Sequence, residues 1–240
     1  ANHIIKNNRQ RNPKQLWSDK KASNRIKLFT FLSEYQEADA IKHFATLLRE
    51  HNISESFAVL YRTHAQSRAI EEGLLRASIP YKIVGGVQFY ERKEIKDLLA
   101  YLRLIVNPFD RTSFFRIINI PSRGLGAKFE EQFFTRWKEE PFLTYQEVAQ
   151  KLIEEKQLQP TKQKSLKQFL TIFSTLQPSS KASDALQQII KQSGYIEYLK
   201  KTYEKEDAQT RIENVQEFIE AILHFESQKI NTLTLFLDEV

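Results

Sequence analysis

No cysteine occurs in the 240 residues. That excludes disulfides, thiolate nucleophiles and cysteine-ligated zinc, and it fits a reducing compartment. No apolar run approaches ~18 residues, so no segment reads as a membrane span. The N-terminal ANHIIKNNRQ lacks the apolar core of a secretory signal. No GxxxxGK(S/T) is present to cradle ATP phosphates, and no GxGxxG to hold a dinucleotide. The five histidines, His3, His43, His51, His64 and His224, show neither HExxH nor any other metal spacing. Acids are plentiful, yet no pair stands out as a general acid and base. There is no internal repeat and no low-complexity tract. From its residues alone the chain is a binding piece without a catalytic centre of its own.

What is present is ordinary globular composition, long enough to bury a core as one large domain or two smaller ones. The net charge of +6 is unevenly placed. Residues 1–27 hold eight Lys/Arg against one Asp, and residues 88–128 hold eight against four acids. Clustered positive charge suits a polyanion, most simply nucleic acid; a solvated basic face without a partner is the other reading. The first residue is not Met, and the closing LTLFLDEV has helical texture, so a piece excised from a longer protein is expected.

Two textures follow one another. Up to about residue 86, RIKLFTFLS, SFAVLYR and IPYKIVGG read as strands. EYQEADAIKHFATLLREH and HAQSRAIEEGLLRAS read as the helices between them, the first with Ala38, Ile41, Phe44, Ala45 and Leu48 at helical spacing. Strand–helix–strand order implies a parallel sheet with right-handed crossovers. In such sheets functional groups gather at the C-terminal strand ends, where Tyr61, Arg62, Thr63 and His64 fall. From Val87 onward the chain reads as helical. ERKEIKDLLAYLRLIVN has Ile95, Leu98, Leu99, Leu102 and Ile105 on one stripe and closes at Asn107-Pro108. Helices are expected at 111–120, 127–140, 144–156, 163–176, 182–193, 195–205 and 208–228, punctuated by Pro160, Pro178 and Gly194.

Only six glycines occur, and two of them, Gly124 and Gly126, sit in IINIPSRGLGAKFEEQFF between two helical segments. Helix, glycine turn, helix is the outline of a helix-hairpin-helix. Glycine accepts φ > 0 and bares the backbone, and the next helix would present unpaired N–H groups to a phosphate. Arg123 and Lys128 would add charge to a contact that ignores base sequence. A plain C-cap followed by a turn is the other reading of the same residues. On 91–106, Arg92, Lys96 and Arg103 fall at spacings of four and seven on one face. They could meet phosphates, or pair with Glu91, Glu94 and Asp97 as a solvated charged face.

FAVLYRTHAQSRAIEEGLLRASIPYKIVGGVQFYERKEIKDLLAYLRLIVNP, followed by RIINIPSRGLG, resembles the UvrD/PcrA/Rep group of superfamily 1 DNA helicases. LYRTHAQSR resembles the family's motif IVa, PSRGLG its GIG turn, and SGYIEYL and QTRIENVQEF also match, so the likeness covers essentially the whole chain. The resemblance implies an α/β plus all-α fold. Residues 1–86 would be the N-terminal part of the second RecA-like motor domain (2A), a partial parallel-sheet segment. Residues 87–240 would be an incomplete, mostly helical 2B subdomain with a helix-hairpin-helix-like turn.

It further implies a parent enzyme that hydrolyses ATP with Mg²⁺, moves 3′→5′ on single-stranded DNA and separates duplex in repair or replication. The ATP loop, the Mg²⁺ acids, the γ-phosphate arginines and the adenine-stacking tyrosine would lie outside this chain, which would bind no cofactor and be inactive alone. Arg62 matches a single-strand backbone contact. His64 stands at the next contact position, where asparagine is usual. Lys96 and Arg103 match basic duplex contacts. Gly124, Leu125 and Gly126 match the turn whose amides meet duplex phosphate, with Leu125 replacing the usual isoleucine. Arg123 agrees with the family, and Ser122 stands where Lys or Thr is frequent. Implied partners are single-stranded and duplex DNA, with repair or replication proteins possible, no membrane, and a bacterial cytosolic, nucleoid-associated location. A free-standing DNA-binding module and part of a helicase-nuclease of the same superfamily are the alternatives.

Overall fold

The computed structural model describes residues 7, 17, 19, 26–51, 57–63, 66–228 and 232–239. The chain divides into two compact units, Ala1–Ser33 and Glu34–Val240. In the first, residues 26–31 are irregular and exposed, and the rings of Phe29 and Phe31 stack at 6.4 Å.

The second unit is a helical assembly. Helix α1 spans Glu34–Glu50, with Glu34 and Glu37 in its first turn and Arg49 in its last, the order that suits the helix dipole. Helix α2 spans Ser67–Arg76 and packs on α1. A 3-10 turn, Phe89–Glu91, leads into α3, Lys93–Val106. Then come α4 (Arg111–Ile117), α5 (Ala127–Glu139), α6 (Tyr145–Glu154) and α7 (Pro160–Thr171). After them come α8 (Ala182–Ser193), α9 (Tyr195–Thr202), α10 (Lys205–Gln228) and α11 (Leu233–Glu239). Local chemistry fixes several of the starts. Asp110 caps α4 by accepting from the Ser113 amide at 3.0 Å. Thr144 and Glu147 form a capping box for α6. Pro160 stands at the first turn of α7, where its missing N–H is harmless.

Helix α3 is the axis of the unit, touched by α4, α8, α10 and α11. Ile95, Leu98, Tyr101, Leu102 and Leu104 are wholly buried on it. A helix apolar on nearly every side has to lie inside. Beyond α4 the core becomes aromatic. The Phe114 ring stacks on Phe133 at 4.4 Å and meets Trp137 edge-on at 5.4 Å, and Phe169 and Phe173 close the cluster.

Buried charges knit the elements together. Arg68 of α2 is fully buried and bonds Glu72, Glu34 of α1 and Glu217 of α10. Asp97 of α3 receives Lys93, Arg116 of α4 and the Tyr195 hydroxyl of α9. Glu94 takes Arg211 and Asn214 from α10. Each carboxylate or guanidinium taken from water thus keeps a charged or hydrogen-bonding partner.

The parallel sheet expected before residue 86 is not seen: among the described residues there is no strand. Residues 57–61 and 79–83 run extended or irregular with no ladder to a neighbour. An extended segment becomes a strand only when another backbone takes its N–H and C=O groups. Here Leu60 and Val84 face outward, at 95% and 84% exposure. The helix-hairpin-helix outline also changes. Helices α4 and α5 flank the glycines as expected, but residues 118–126 join them as a nine-residue connection rather than a tight hairpin.

Candidate nucleic-acid interface

The connection between α4 and α5 is shaped from inside. Asn119 turns its side-chain oxygen back on the chain and accepts the amides of Arg123 at 2.8 Å and Leu125 at 3.2 Å. Short Asx side chains make such turns readily. Leu125 is wholly buried and plugs the connection into the core. Arg123 points inward as well. Its Nη1 donates to the carbonyls of Ile117, Ile118 and Pro121 at 3.0–3.1 Å, and its Nη2 to Tyr101 Oη at 2.6 Å. The guanidinium also lies 5.3 Å from the Phe169 ring centroid.

This differs from the outward cation expected at 123. The end of a helix leaves carbonyls without donors, and a planar five-donor fork satisfies several at once. Tyr101 completes the brace by donating to the Ile120 carbonyl at 2.6 Å. Burial, partly opposed by Arg123, pushes its phenol up to about 12, so the hydroxyl keeps the proton it donates.

With 123 and 125 anchored inward, the two glycines come out. Gly124 is exposed at φ +70, and open space surrounds the place a Cβ would take. Gly126 is partly exposed, extended at φ −81, and is the N-cap residue of α5 without any side-chain cap. The amides of Phe129 and Glu130 are taken by the Gly126 carbonyl. Among the described residues, the amides of Gly124, Gly126, Ala127 and Lys128 have no acceptor. Lys128 is exposed at the second position of the helix, with no ion pair among the described residues. Unpaired N–H groups, the positive end of a 13-residue helix and a free ammonium converge on one open surface.

The cations expected on 91–106 separate. Arg92 leaves the surface, 6% exposed, donating to Asn214 and Ser67. It cannot share the outer stripe because α2 and α10 both reach it there. Lys96 is half-buried and paired with Glu91, and Arg103 is exposed with no ion pair among the described residues. Lys96 and Arg103 lie seven residues apart and share one side of α3. Tyr101, which carries the glycine turn, lies roughly 140–160° around the helix from both, at about 100° per residue. The stripe and the turn therefore leave α3 in different directions.

Arg62 is exposed, in a bend closed by Gln66, whose side-chain oxygen accepts the amides of Arg62 at 3.0 Å and Thr63 at 3.2 Å. His64 lies outside the described residues. Sequence reasoning missed Asn119, Tyr101 and Gln66. An Asn four residues before Arg123 was the available signal for the first. Nothing local announces the second.

The chain matches the UvrD-like helicase C-terminal domain over residues 1–239. It belongs to that family. It is 36% identical over 255 residues to the ATP-dependent DNA helicase PcrA of Bacillus subtilis, covering 100% of this chain and 33% of the relative. It is 38% identical over 238 residues to PcrA of Leuconostoc citreum, covering 95% and 31%. It is 36% identical over 250 residues to DNA helicase II of Escherichia coli, covering 99% and 34%. The UvrD-like chain thus spans about one third of the length of these relatives.

Proposed function

We propose that this chain is the duplex-engaging portion of an ATP-dependent DNA helicase that moves 3′→5′ and serves repair or replication. Residues 1–86 belong to its second motor domain and residues 87–240 to its 2B subdomain. The observation that carries the reading is the set of unpaired amides at Gly124, Gly126, Ala127 and Lys128 on an open surface. A duplex phosphate sits against these N–H groups while the Lys128 ammonium neutralises it. Leu125 and Arg123 serve from behind, one as plug and one as brace. Lys96, once released from Glu91, and Arg103 meet the backbone from another side of α3. Arg62, with His64, meets the single strand. None of these contacts reads base identity, as a motor that must pass every sequence requires.

ATP and Mg²⁺ belong to the rest of the parent. The chain has no phosphate-binding loop, and among the described residues no group of three or more His, Cys, Asp or Glu could hold a metal. These residues do not fit ATP–Mg²⁺, and the chain alone turns over no ATP. The extended segments at 57–61 and 79–83 find their sheet partners in that same missing portion.

Fluorescence anisotropy of a labelled fork duplex, titrated with the chain at rising salt, tests the reading. Affinity should fall steeply with salt, because each phosphate contact contributes about −0.9 to the log–log slope. Affinity indifferent to salt would refute it.

A further inference from the structure

We propose that a cation-flanked aromatic surface on α4 and α5 seats unpaired nucleotides that run on from the duplex end held at the glycine turn; this rests on the turn itself engaging duplex. Phe134 of α5 is 47% exposed, and half-buried Phe115 of α4 lies beside it, the ring centroids 5.9 Å apart. Exposed Lys138 follows Phe134 by one helical turn, and half-buried Arg111 precedes Phe115 by one. The Arg111 guanidinium is tied to the same place. Its Nη2 donates to the Trp137 carbonyl at 3.0 Å, and it lies 5.3 Å from the Trp137 ring centroid, itself 6.4 Å from that of Phe115. Two rings and two cations thus share one surface.

Neither cation has an ion pair among the described residues. The acids next to them in sequence are engaged elsewhere. Asp110 caps α4 through Ser113, Glu139 takes Arg136, and Glu140 takes Arg136 and Lys151. A single exposed phenylalanine is ordinary on a protein surface. A pair of rings with uncompensated positive charge on both sides is what stacking on nucleobases requires. An aromatic face accepts any base, and a cation holds the phosphate attached to it.

Helix geometry lines this surface up with the turn. Ala127, whose amide is one of the unpaired set, shares a stripe with Phe134 and Lys138: the three fall within about 40° of one another around α5, at about 100° per residue. Phe134 is about 10 Å along the axis from Ala127, and Lys138 about 6 Å further, at 1.5 Å per residue. Between Ala127 and Phe134 stand Glu130 and Glu131, one on either side of the stripe and without ion pairs among the described residues.

Those carboxylates sort the two forms of DNA. A duplex laid along α5 would bring its phosphates against them while its bases stayed stacked inside. A strand that has left the duplex turns its bases to Phe134 and Phe115 instead, and its next phosphate reaches Lys138 or Arg111. Paired DNA therefore stops at the turn, and unpaired DNA passes on to the rings. The ligand of the whole surface is a junction between duplex and single strand, held without regard to base identity.

The test uses the whole 240-residue chain and two labelled ligands, a blunt duplex and the same duplex with a short thymidine tail at its 3′ or its 5′ end. Phe134→Leu keeps an apolar contact for Phe115 and removes the aromatic face; circular dichroism checks the fold. Losing one stacked base costs about fivefold or more in affinity, so this variant should weaken the tailed duplex by that factor and leave the blunt duplex unchanged. Lys138→Gln, at an exposed position, should lower the magnitude of the log–log salt slope by about 0.7 for the tailed duplex alone. Arg62→Ala controls for the single-strand contact expected in the motor segment, and Gly126→Asp for the turn. If both α5 variants bind both ligands like the parent chain while Gly126→Asp binds both weakly, the aromatic seat is refuted and the turn stands; a protein segment then becomes the occupant to seek. A preference for the tail that only Arg62→Ala abolishes refutes the seat as well. If Gly126→Asp binds both ligands like the parent chain, the turn reading falls and the junction with it.

Discussion

Replacing Gly126 by Asp separates the stability of the glycine turn from its charge. Gly126 is the N-cap residue of α5, extended at φ −81, and a Cβ there meets nothing within 4 Å. Aspartate is among the preferred N-cap residues, better than glycine by a few tenths of a kcal/mol. Its charge at the positive end of the helix adds about 0.3–1 kcal/mol. The Lys128 amide, without an acceptor among the described residues, is the donor such a carboxylate would use.

The substitution should therefore stabilise the chain by roughly 0.5–1 kcal/mol, or about 1–4 °C for a chain of this size. Binding should change in the opposite sense. A carboxylate about 4 Å from a phosphate is repelled by about 1 kcal/mol in water and about 4 kcal/mol near a protein surface. That is roughly a fivefold to nearly thousandfold weaker duplex complex. Differential scanning calorimetry and anisotropy on one preparation read both quantities, and Gln187→Glu, on an exposed position of α8, controls for net charge. Gly124→Ala gives the contrasting case. At φ +70 it should lose about 1 kcal/mol although nothing crowds the new methyl. A Gly126→Asp chain that melts higher and still binds duplex like the parent would refute the phosphate seat.

Two further expectations concern the frame. Arg68→Met leaves Glu34, Glu72 and Glu217 around a vanished charge and should remove about 3–5 kcal/mol in urea unfolding; a loss below 1 kcal/mol would mean the carboxylates are stable without it. Alkali should also destabilise the fold. Burial pushes Tyr101 up to about 12 and raises Tyr195, Tyr145 and Tyr90 above the ordinary phenol value, Asp97 adding to Tyr195 and Glu72 to Tyr90. Above pH ~10 the unfolded chain releases these protons and the folded chain does not. The stability is thus whole below pH ~10 and drains as pH rises, by up to ~1.4 kcal/mol per unit for each such tyrosine. Urea midpoints at pH 8, 10 and 11 check this, and a constant midpoint would contradict it.

Much of the helical frame could be read in advance because it repeats. The stripe of Ile95, Leu98, Leu99 and Leu102 locates α3, and Pro160 locates the start of α7, three residues before the expected onset at 163. The glycine turn was visible from composition alone. What could not be read is the direction of each side chain within it. Arg123 faces inward because the carbonyls of Ile118 and Pro121 have no backbone donor of their own among the described residues and Tyr101 waits on a helix 22 residues earlier. No local pattern encodes that meeting. Arg92 repeats the lesson: its spacing matches Lys96 and Arg103, yet Asn214, 122 residues away, draws it inside. The extended segments form no ladder among the described residues for the complementary reason. Their apolar, β-branched composition is a demand for neighbours, and the described residues supply none.

Residues 123–126 alternate, odd positions locked into the frame and even positions open to solvent. Affinity and architecture are consequently separate dials. Edits at 124 and 126 can loosen or tighten the hold on a ligand while the scaffold survives, whereas edits at 119, 123 or 125 dismantle the scaffold before any ligand is consulted. Positions 124 and 126 thus admit change with the frame intact, 124 at the cost its left-handed backbone sets, while 119, 123 and 125 do not.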